Sequence, residues 1–583
     1  MTSRPHTMGC MKDEAGFQLI MREGVPPDQV TGRRPPPPPV AEDARENNLH
    51  IFRNAEVRLR DGVRIFVDIY RPAGTARVQD LPVILGWSPY GKHNTRDQLP
   101  WPEADVGRGW ISQYTAFEAP DPAFWCEHGF AVVYADPRGC WYSQGEQRHG
   151  GQGEAEDCFD LIHWLEQQPW CNGRVGMSGV SYLTAIQWQV AALRPAPLAA
   201  INPWEGFSDW YREFALHGGI PETSFVPRGC ANLQWSTTRT EDTPANIAAH
   251  PLHDAYWRSK EVALEQITAP AWVVASWADQ GLHTRGTLEG YRRIGSRQKW
   301  LEVHGRKKWH YYYRPDNLER QFQFFAHFLR HSSRIVPAWP RVRIEVRERA
   351  NEGAIRSETA WPIADTQYQR LYLEAGTGYA GTLRAAPATG ESTCRYDPLS
   401  VEGCAQFDYR FDADTETTGT MVLHAWVQAL GADDMDLFVA IHKLDATGHF
   451  VPFIFYSMCE DGPVALGWLR VSHRALDAAQ SRQDLPVHPH DREQPLAAGD
   501  IVPVDIEIWP SSTMFHAGET LRLVIKGRDT VQPSVPNAPF ARHEHTRNRG
   551  LHVIHAGGRY DSYLQIPVIP PRPDRTPAQE PTA

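Results

Sequence analysis

Residues 173–188 read Gly173-Arg-Val-Gly-Met-Ser-Gly-Val-Ser-Tyr-Leu-Thr-Ala-Ile-Gln-Trp188, and this stretch decides the fold. Val175-Gly176-Met177 has the pattern of a short buried strand at its end. Tyr182 to Leu193 places Leu183, Ile186, Val190 and Leu193 close to the 3.6-residue helical period. Between them lies Gly179-Val-Ser181. A serine on such a strand-to-helix turn is lifted clear of the sheet, and glycine two residues earlier lets the backbone fold back without a Cβ clash. The first amides of the helix are then available to a developing negative charge. Ser178, in Gly-Met-Ser-Gly-Val, competes for the role, and neither serine matches Gly-x-Ser-x-Gly in full. Ser181 opens the helix, whereas Ser178 still belongs to the strand, so Ser181 is the candidate nucleophile. A lone Gly-x-Ser is as readily a structural turn, so the rest of the chain must decide.

Leu81-Pro-Val-Ile-Leu-Gly86 and Phe130-Ala-Val-Val-Tyr-Ala135 are near-continuous apolar runs, as expected of strands buried on both faces. Ala155 to Gln168 reads as an amphipathic helix. Ala271-Trp-Val-Val-Ala275 and Trp300-Leu-Glu-Val303 supply two later strands, with a helical stretch around Thr287–Ile294 between them. Strands alternating with helices predict a doubly wound, mostly parallel sheet with its chemistry at the carboxyl ends of the strands. Before it, alternating residues around Asp61-Gly62 mark a hairpin, Ala55 to Tyr70. After Arg334 come strands without intervening helices, among them Arg341–Val346, Met421–Val427, Leu437–Ile441, Val502–Trp509 and Leu521–Ile525, which predict an antiparallel sandwich.

The chain has 583 residues, 41% of them hydrophobic, with 21 tryptophans, enough for more than one core. No apolar run is long enough for a membrane span, and Met-Thr-Ser-Arg-Pro-His at the start lacks a signal-peptide core. Nine scattered cysteines suit reduced thiols and a cytoplasmic location. A net charge of −11 argues against nucleic acid as partner. Asp433, Asp434 and Asp436 lack the frame of a calcium loop and read as a strand entry. His543-Glu-His545 has no third ligand nearby and reads as a solvated loop. No metal and no cofactor is expected.

A nucleophilic serine needs a base, and the base an orienting acid. Asp279 follows the strand Ala271–Ala275; His304 follows Trp300–Val303, and His310 lies six residues further on. Singly, Asp279 suits a helix N-cap and the histidines a solvated surface. Their order, after three successive strands, points to a Ser-Asp-His set. Ser-Pro-Tyr90-Gly-Lys follows Leu81–Gly86, which places Tyr90 as an oxyanion donor beside the Tyr182 amide.

Several motifs together resemble one family: Ser-Pro-Tyr90-Gly-Lys, Asp136-Pro-Arg-Gly139, Ser143-Gln-Gly-Glu146, the elbow itself, Trp164-Leu-Glu-Gln-Gln-Pro-Trp170, Asp434-Met-Asp-Leu-Phe and Ile508-Trp-Pro. They are those of the cocaine-esterase-like (CocE/NonD) hydrolases, relatives of the X-Pro dipeptidyl peptidases, and the resemblance runs from about residue 50 to 568. It implies an α/β fold: an α/β-hydrolase domain with a helical cap insertion, plus a C-terminal all-β jelly-roll sandwich. The family's nucleophile falls on Ser181, its acid on Asp279 and its oxyanion tyrosine on Tyr90. Two departures stand out. Thr184 occupies a position the family usually gives to glycine, where a Cβ crowds the helix against its strand. The base falls on His304 by a Leu-x-Val-His pattern, with His310 as alternative by a Trp-Ser-His pattern.

The reading divides the chain into a disordered leader (1–45), the hydrolase domain in two parts (46–204 and 266–335), a Trp-rich helical cap (205–265), the jelly roll (336–570) and a disordered tail (571–583). It predicts a serine hydrolase of a small-molecule ester or amide, with room for a homo-oligomer. An X-Pro dipeptidyl aminopeptidase on the same scaffold is one rival. A non-catalytic protein binding through the sandwich is the other.

Overall fold

The computed structural model describes residues 9–12, 16–30, 35–74, 80–93, 102–330, 336–531 and 540–571. The expected tail, apart from residue 571, lies outside them. The leader does not behave as an unfolded segment. Strands β1 (Gly9–Lys12) and β2 (Gln18–Glu23) pair antiparallel. Phe17, Leu19 and Met21 alternate with polar residues and are buried, which gives this segment the apolar face a disordered leader lacks. Strand β3 (Glu42–Glu46) then leads into the expected hairpin, β4 (Leu49–Arg58) and β5 (Arg64–Pro72).

The central sheet contains β6 (Leu81–Trp87), β7 (Ala131–Asp136), β8 (Cys171–Val180) and β9 (Leu198–Trp204). It continues, after an interruption, with β13 (Ala271–Ser276), β14 (Lys299–His304) and β15 (Val342–Arg349). The strand order is β3-β4-β5-β7-β6-β8-β9-β13-β14-β15, parallel from β7 through β15. Neighbouring residues of one strand feed opposite cores, as Ile84 and Leu85 or Val132 and Val133 do. On one face lie helices α2 (Gln152–Glu166), α3 (Tyr182–Ala192) and α7 (Thr284–Arg293), through Leu161, Ile186 and Leu288. On the other lie α1 (Pro122–Glu127) and α9 (Pro315–Arg330), through Trp125 and Phe325. This is an α/β-hydrolase-like domain.

Strand β9 is absent from the sequence expectation, because Asn202 and Pro203 read as breakers. The fold uses both. The Asn202 amide donates to the Trp272 carbonyl at 2.6 Å, and Pro203 sits opposite Gly179 at the end of the strand.

Between β9 and β13 the chain builds a one-turn π-helix at Trp210–Ala215, a small hairpin of β10 (Leu216–His217) and β11 (Ile220–Pro221), α4 (Phe225–Asn232), β12 (Arg239–Glu241), α5 (Thr243–Ala249) and α6 (Ala255–Arg258). Strand β12 pairs with β2, so the leader is stitched to this segment. Trp257 packs on Tyr256 and Tyr211, and Trp210 meets the elbow helix edge-on to Tyr182 at 5.9 Å.

The C-terminal part is β-rich with its own core of Leu371, Leu423, Ile441, Ile506 and Ile525. Its longest strand, Thr415–Leu430, pairs antiparallel with Val502–Phe515. Asp436 enters its strand in a two-point ion pair with Arg470. His543 departs from the solvated reading: it is buried, with Nδ1 2.8 Å from Asp529 and Nε2 2.8 Å from His217. Among the described residues no group of three or more side chains is arranged to hold a metal ion, and no helix is long and apolar enough to cross a membrane.

Candidate active site

Ser181 stands between β8 and α3 with φ 61° and ψ −116°, a left-handed conformation that a non-glycine residue holds only at a cost of roughly 1–3 kcal/mol. The surroundings fix it. Its amide donates to the carbonyls of Trp204 (3.1 Å) and Glu205 (3.0 Å), and its own carbonyl accepts from Thr184 and Ala185 as α3 begins. Gly179 has φ +145°, and a Cβ there would lie 2.6 Å from the Leu183 Cβ and 3.0 Å from the Glu118 carbonyl, so glycine is required two residues before the serine. Ser178 is sealed in the core, its hydroxyl 3.0 Å from Tyr312. The crowding expected at Thr184 is absorbed opposite it. Gly206 has no side chain to meet it (a Cβ would fall 2.4 Å from the Thr184 Cβ), and the Thr184 hydroxyl bridges the Trp204 amide and carbonyl at 2.8 and 2.7 Å.

The imidazole that meets Ser181 is His283. Its Nε2 is 3.1 Å from the Ser181 hydroxyl, and its Nδ1 forms a short hydrogen bond with Asp279. Asp279 lies in the turn after β13 and His283 caps α7, so one tight turn, with the His283 amide 3.1 Å from the Asp279 carbonyl, carries both. A carboxylate only accepts, so the proton lies on Nδ1 and the Nε2 lone pair faces the serine. Phe207 stacks parallel to the imidazole at 6.0 Å.

The structure brings Ser181 and Asp279 to one imidazole, but neither expected histidine supplies it. His304 is fully buried and engaged at both nitrogens: Nε2 is 3.1 Å from Glu205, and Nδ1 accepts from the Arg306 amide. Its ring stacks on Tyr311 at 3.8 Å. His310 points outward on α8 (Lys308–Tyr313), with Nδ1 2.8 Å from the Asp105 carbonyl.

The sequence reading also misses Glu118 and Lys308. Lys308 opens α8 and is buried, its ammonium 2.6 Å from Asp279 and 2.9 Å from Nδ1 of His283. Burial pushes the ammonium down, but the charges of Asp279, Glu205 and Glu118 outweigh it and leave Lys308 firmly cationic. Burial works to raise the Asp279 carboxyl, yet Lys308 and His283 hold it far below the ordinary range. His283 is pushed down to about 4, by burial first and Lys308 second.

The Tyr90 phenol faces Ser181 and Glu118; burial and the Glu118 charge drive it up, against its contact with the Ser181 hydroxyl. Burial raises Glu118 to about 8, only partly offset by Lys308 and by the Trp309 indole, which donates to it at 3.1 Å. Glu118 therefore carries a proton at neutral pH. Tyr182, first residue of α3, has an amide with no acceptor in its own helix, and its hydroxyl is tied back to Glu154 at 2.7 Å. Tyr90 and that amide thus flank the serine from two sides.

Comparisons with known proteins bear on the family and the fold. Residues 61–247 match the model of the X-Pro dipeptidyl-peptidase (S15 family), and residues 336–565 match that of the X-Pro dipeptidyl-peptidase C-terminal non-catalytic domain. A crystal structure of a CocE/NonD family hydrolase from Staphylococcus aureus is 41% identical, covers 89% of this chain and 94% of its own, and superposes with a TM-score of 0.86. The cocaine esterase of Rhodococcus sp. (strain MB1 Bresler) is 25% identical across 90% of this chain and 99% of its own length. The Xaa-Pro dipeptidyl-peptidase of Lactobacillus helveticus is 24% identical over a shorter region, 33% of this chain and 25% of that protein.

Proposed function

The chain belongs to the CocE/NonD hydrolase family, and on that premise we propose that it hydrolyses acyl esters through Ser181, His283 and Asp279. The observation that carries this reading is the 3.1 Å contact between the Ser181 hydroxyl and an imidazole whose other nitrogen is held by a buried carboxylate. In the first step Ser181 attacks the acyl carbonyl while His283 Nε2 takes its proton, and Asp279 stabilises the imidazolium that results. The tetrahedral oxyanion takes hydrogen bonds from the Tyr90 hydroxyl and the Tyr182 amide. Collapse expels the alcohol, which receives the proton from His283 and leaves an acyl-Ser181. Water, deprotonated by the same imidazole, then releases the acid.

In this reading residues 205–265 act as a helical cap, with Cys230 of α4 close enough to influence the Tyr90 phenol beside the serine. Phe225 of α4 packs on Tyr456 of the C-terminal domain, which we read as a jelly roll closing the far side of the pocket. The substrate is a small ester whose acyl group meets aromatic surface from Phe207, Trp210 and Phe117.

An X-Pro dipeptidyl aminopeptidase is the second reading, favoured by the two domain matches. It requires a carboxylate for the substrate's α-ammonium. Of the buried acids of the insertion, Glu213 is engaged with Arg285, Glu222 with the amides of α4 and Glu241 with Lys260, while Glu205 is held through one oxygen only, against His304. Esters are therefore preferred. The test is fluorophosphonate labelling together with turnover of p-nitrophenyl acetate and glycyl-prolyl anilide. We expect labelling and ester turnover that vanish in Ser181→Ala. Ester turnover surviving in Ser181→Ala overturns the elbow, and faster cleavage of the anilide than of the ester overturns the ester preference.

A further inference from the structure

Lys308 is the one cation in direct contact with the Asp279–His283 pair among the described residues, and a serine-histidine-aspartate set does not by itself call for it. Its three N–H groups only donate. Toward Asp279 that is compatible with a working base: His283 Nδ1–H and Lys308 both donate to the same carboxylate oxygen, and Nε2 keeps its lone pair for the serine. Toward Nδ1 it is not. A Lys308 N–H donated to Nδ1 would place the imidazole proton on Nε2, where it cannot accept from Ser181. An ammonium 2.9 Å from the ring also opposes the imidazolium that proton transfer creates.

We propose that Lys308 is a positioning residue that sets the working pH range of this hydrolase: by anchoring Asp279 and standing against Nδ1 of His283, it keeps the base unprotonated in acid solution. The proposal rests on the triad reading given above. Lys308 is held for the task. It starts α8, its amide donates to the Ser457 carbonyl at 3.1 Å, and its ammonium is shut away from water. The charged and titratable groups facing it are Asp279, Glu205, Glu118 and His283; Glu118 is protonated over most of the range in question, and the Asp279 carboxylate at 2.6 Å is the first of the charges that keep Lys308 an ammonium. The imidazole faces Asp279, Lys308 and the Ser181 hydroxyl, with the apolar Phe207 over its ring. Asp279 favours the charged ring, but burial and Lys308 outweigh it.

A free imidazole titrates near 6.5; burial and then Lys308 hold His283 below that, and removing Lys308 removes only the second of these. The experiment is the pH dependence of kcat/KM for p-nitrophenyl acetate, from about pH 3.5 to 9, in the wild type, Lys308→Met and Lys308→Arg. Absorbance is read where phenol and phenolate absorb equally. The wild type should keep its activity well below pH 6, with an acid limb near 4. Lys308→Met should move that limb up by roughly one pH unit, burial still holding it below the free value, while staying within about tenfold of wild type at pH 8. Lys308→Arg, which keeps the charge, should leave the limb within about half a unit of its wild-type position. A Lys308→Met limb that does not move, or a folded variant inactive at every pH, overturns the proposal. So does a wild-type limb between 6 and 7, a result that needs no variant to fold. Failure of the triad reading shows differently, as activity retained in Ser181→Ala or His283→Ala.

Discussion

Two histidines near the carboxyl ends of adjacent strands invite the same substitution with opposite consequences. His283→Ala removes the acceptor 3.1 Å from the Ser181 hydroxyl while leaving Asp279 paired with Lys308, so no buried charge is orphaned. Loss of one member of a triad costs on the order of 10⁴ to 10⁶ in kcat. At 1.36 kcal/mol per decade that is about 5.5–8 kcal/mol on the barrier, with little change in folding. His304→Ala is the reverse case. Among the described residues it takes the one hydrogen-bonding partner of Glu205 Oε1, in a carboxylate whose Oε2 has none there, and it removes the acceptor of the Arg306 amide and the ring stacked on Tyr311. Leaving buried hydrogen-bonding groups without their partner costs about 1–3 kcal/mol each, so stability should fall by at least that amount while kcat stays within about tenfold. Steady-state turnover of p-nitrophenyl acetate and urea unfolding on the same samples separate the outcomes. If His304→Ala is folded and as inactive as Ser181→Ala while His283→Ala still turns over, the assignment of the base is wrong.

Tyr90→Phe removes the hydroxyl that faces Ser181 and should lower kcat roughly a hundredfold or more with KM little changed; a loss confined to KM counts against an oxyanion role. Glu118 holds its proton up to about pH 8 in the folded chain, against about 4.5 when unfolded. The folded state therefore binds the extra proton between those values, and this stabilising contribution is full below about 4.5 and lost as pH rises through 8. Glu118→Gln, which cannot ionise, should flatten the decline in urea midpoint between pH 5 and 8. Equal declines in variant and wild type would show that the carboxyl ionises normally.

Much of the architecture is legible because it rests on periodicity. Runs such as Leu81–Gly86 and Ala271–Ala275 can be buried only between two layers, and the loss of helical spacing after Arg334 marks the change to β structure. What escaped detection depends on pairing partners far away in sequence. Gln18–Glu23 looks like leader until Arg239–Glu241 lies beside it. Asn202-Pro203 looks like a break until the Trp272 carbonyl accepts from the asparagine. Thr184 looks like an obstruction until Gly206 is seen across from it. In each case local propensity is overruled by a contact that spacing along the chain cannot express.

The missed histidine has a different cause. Strand order led to the base by assuming that each candidate group follows its own strand, and the structure does place Ser181 after β8 and Asp279 after β13. His283 breaks the assumption by sharing the turn of its acid. A single helical turn separates Asp279 from His283, and that spacing of four is enough to bring carboxylate and imidazole side by side. The signal was therefore present as Asp279-Gln-Gly-Leu-His283, but spacing four is also what any helix start containing both residues would show. What the loop after β14 brings to the pair is an ammonium, that of Lys308, 2.6 Å from Asp279 and 2.9 Å from Nδ1 of His283. Nδ1 of His283 lies between an acid and that ammonium, and His304 is turned to Glu205 and stacked on Tyr311 instead.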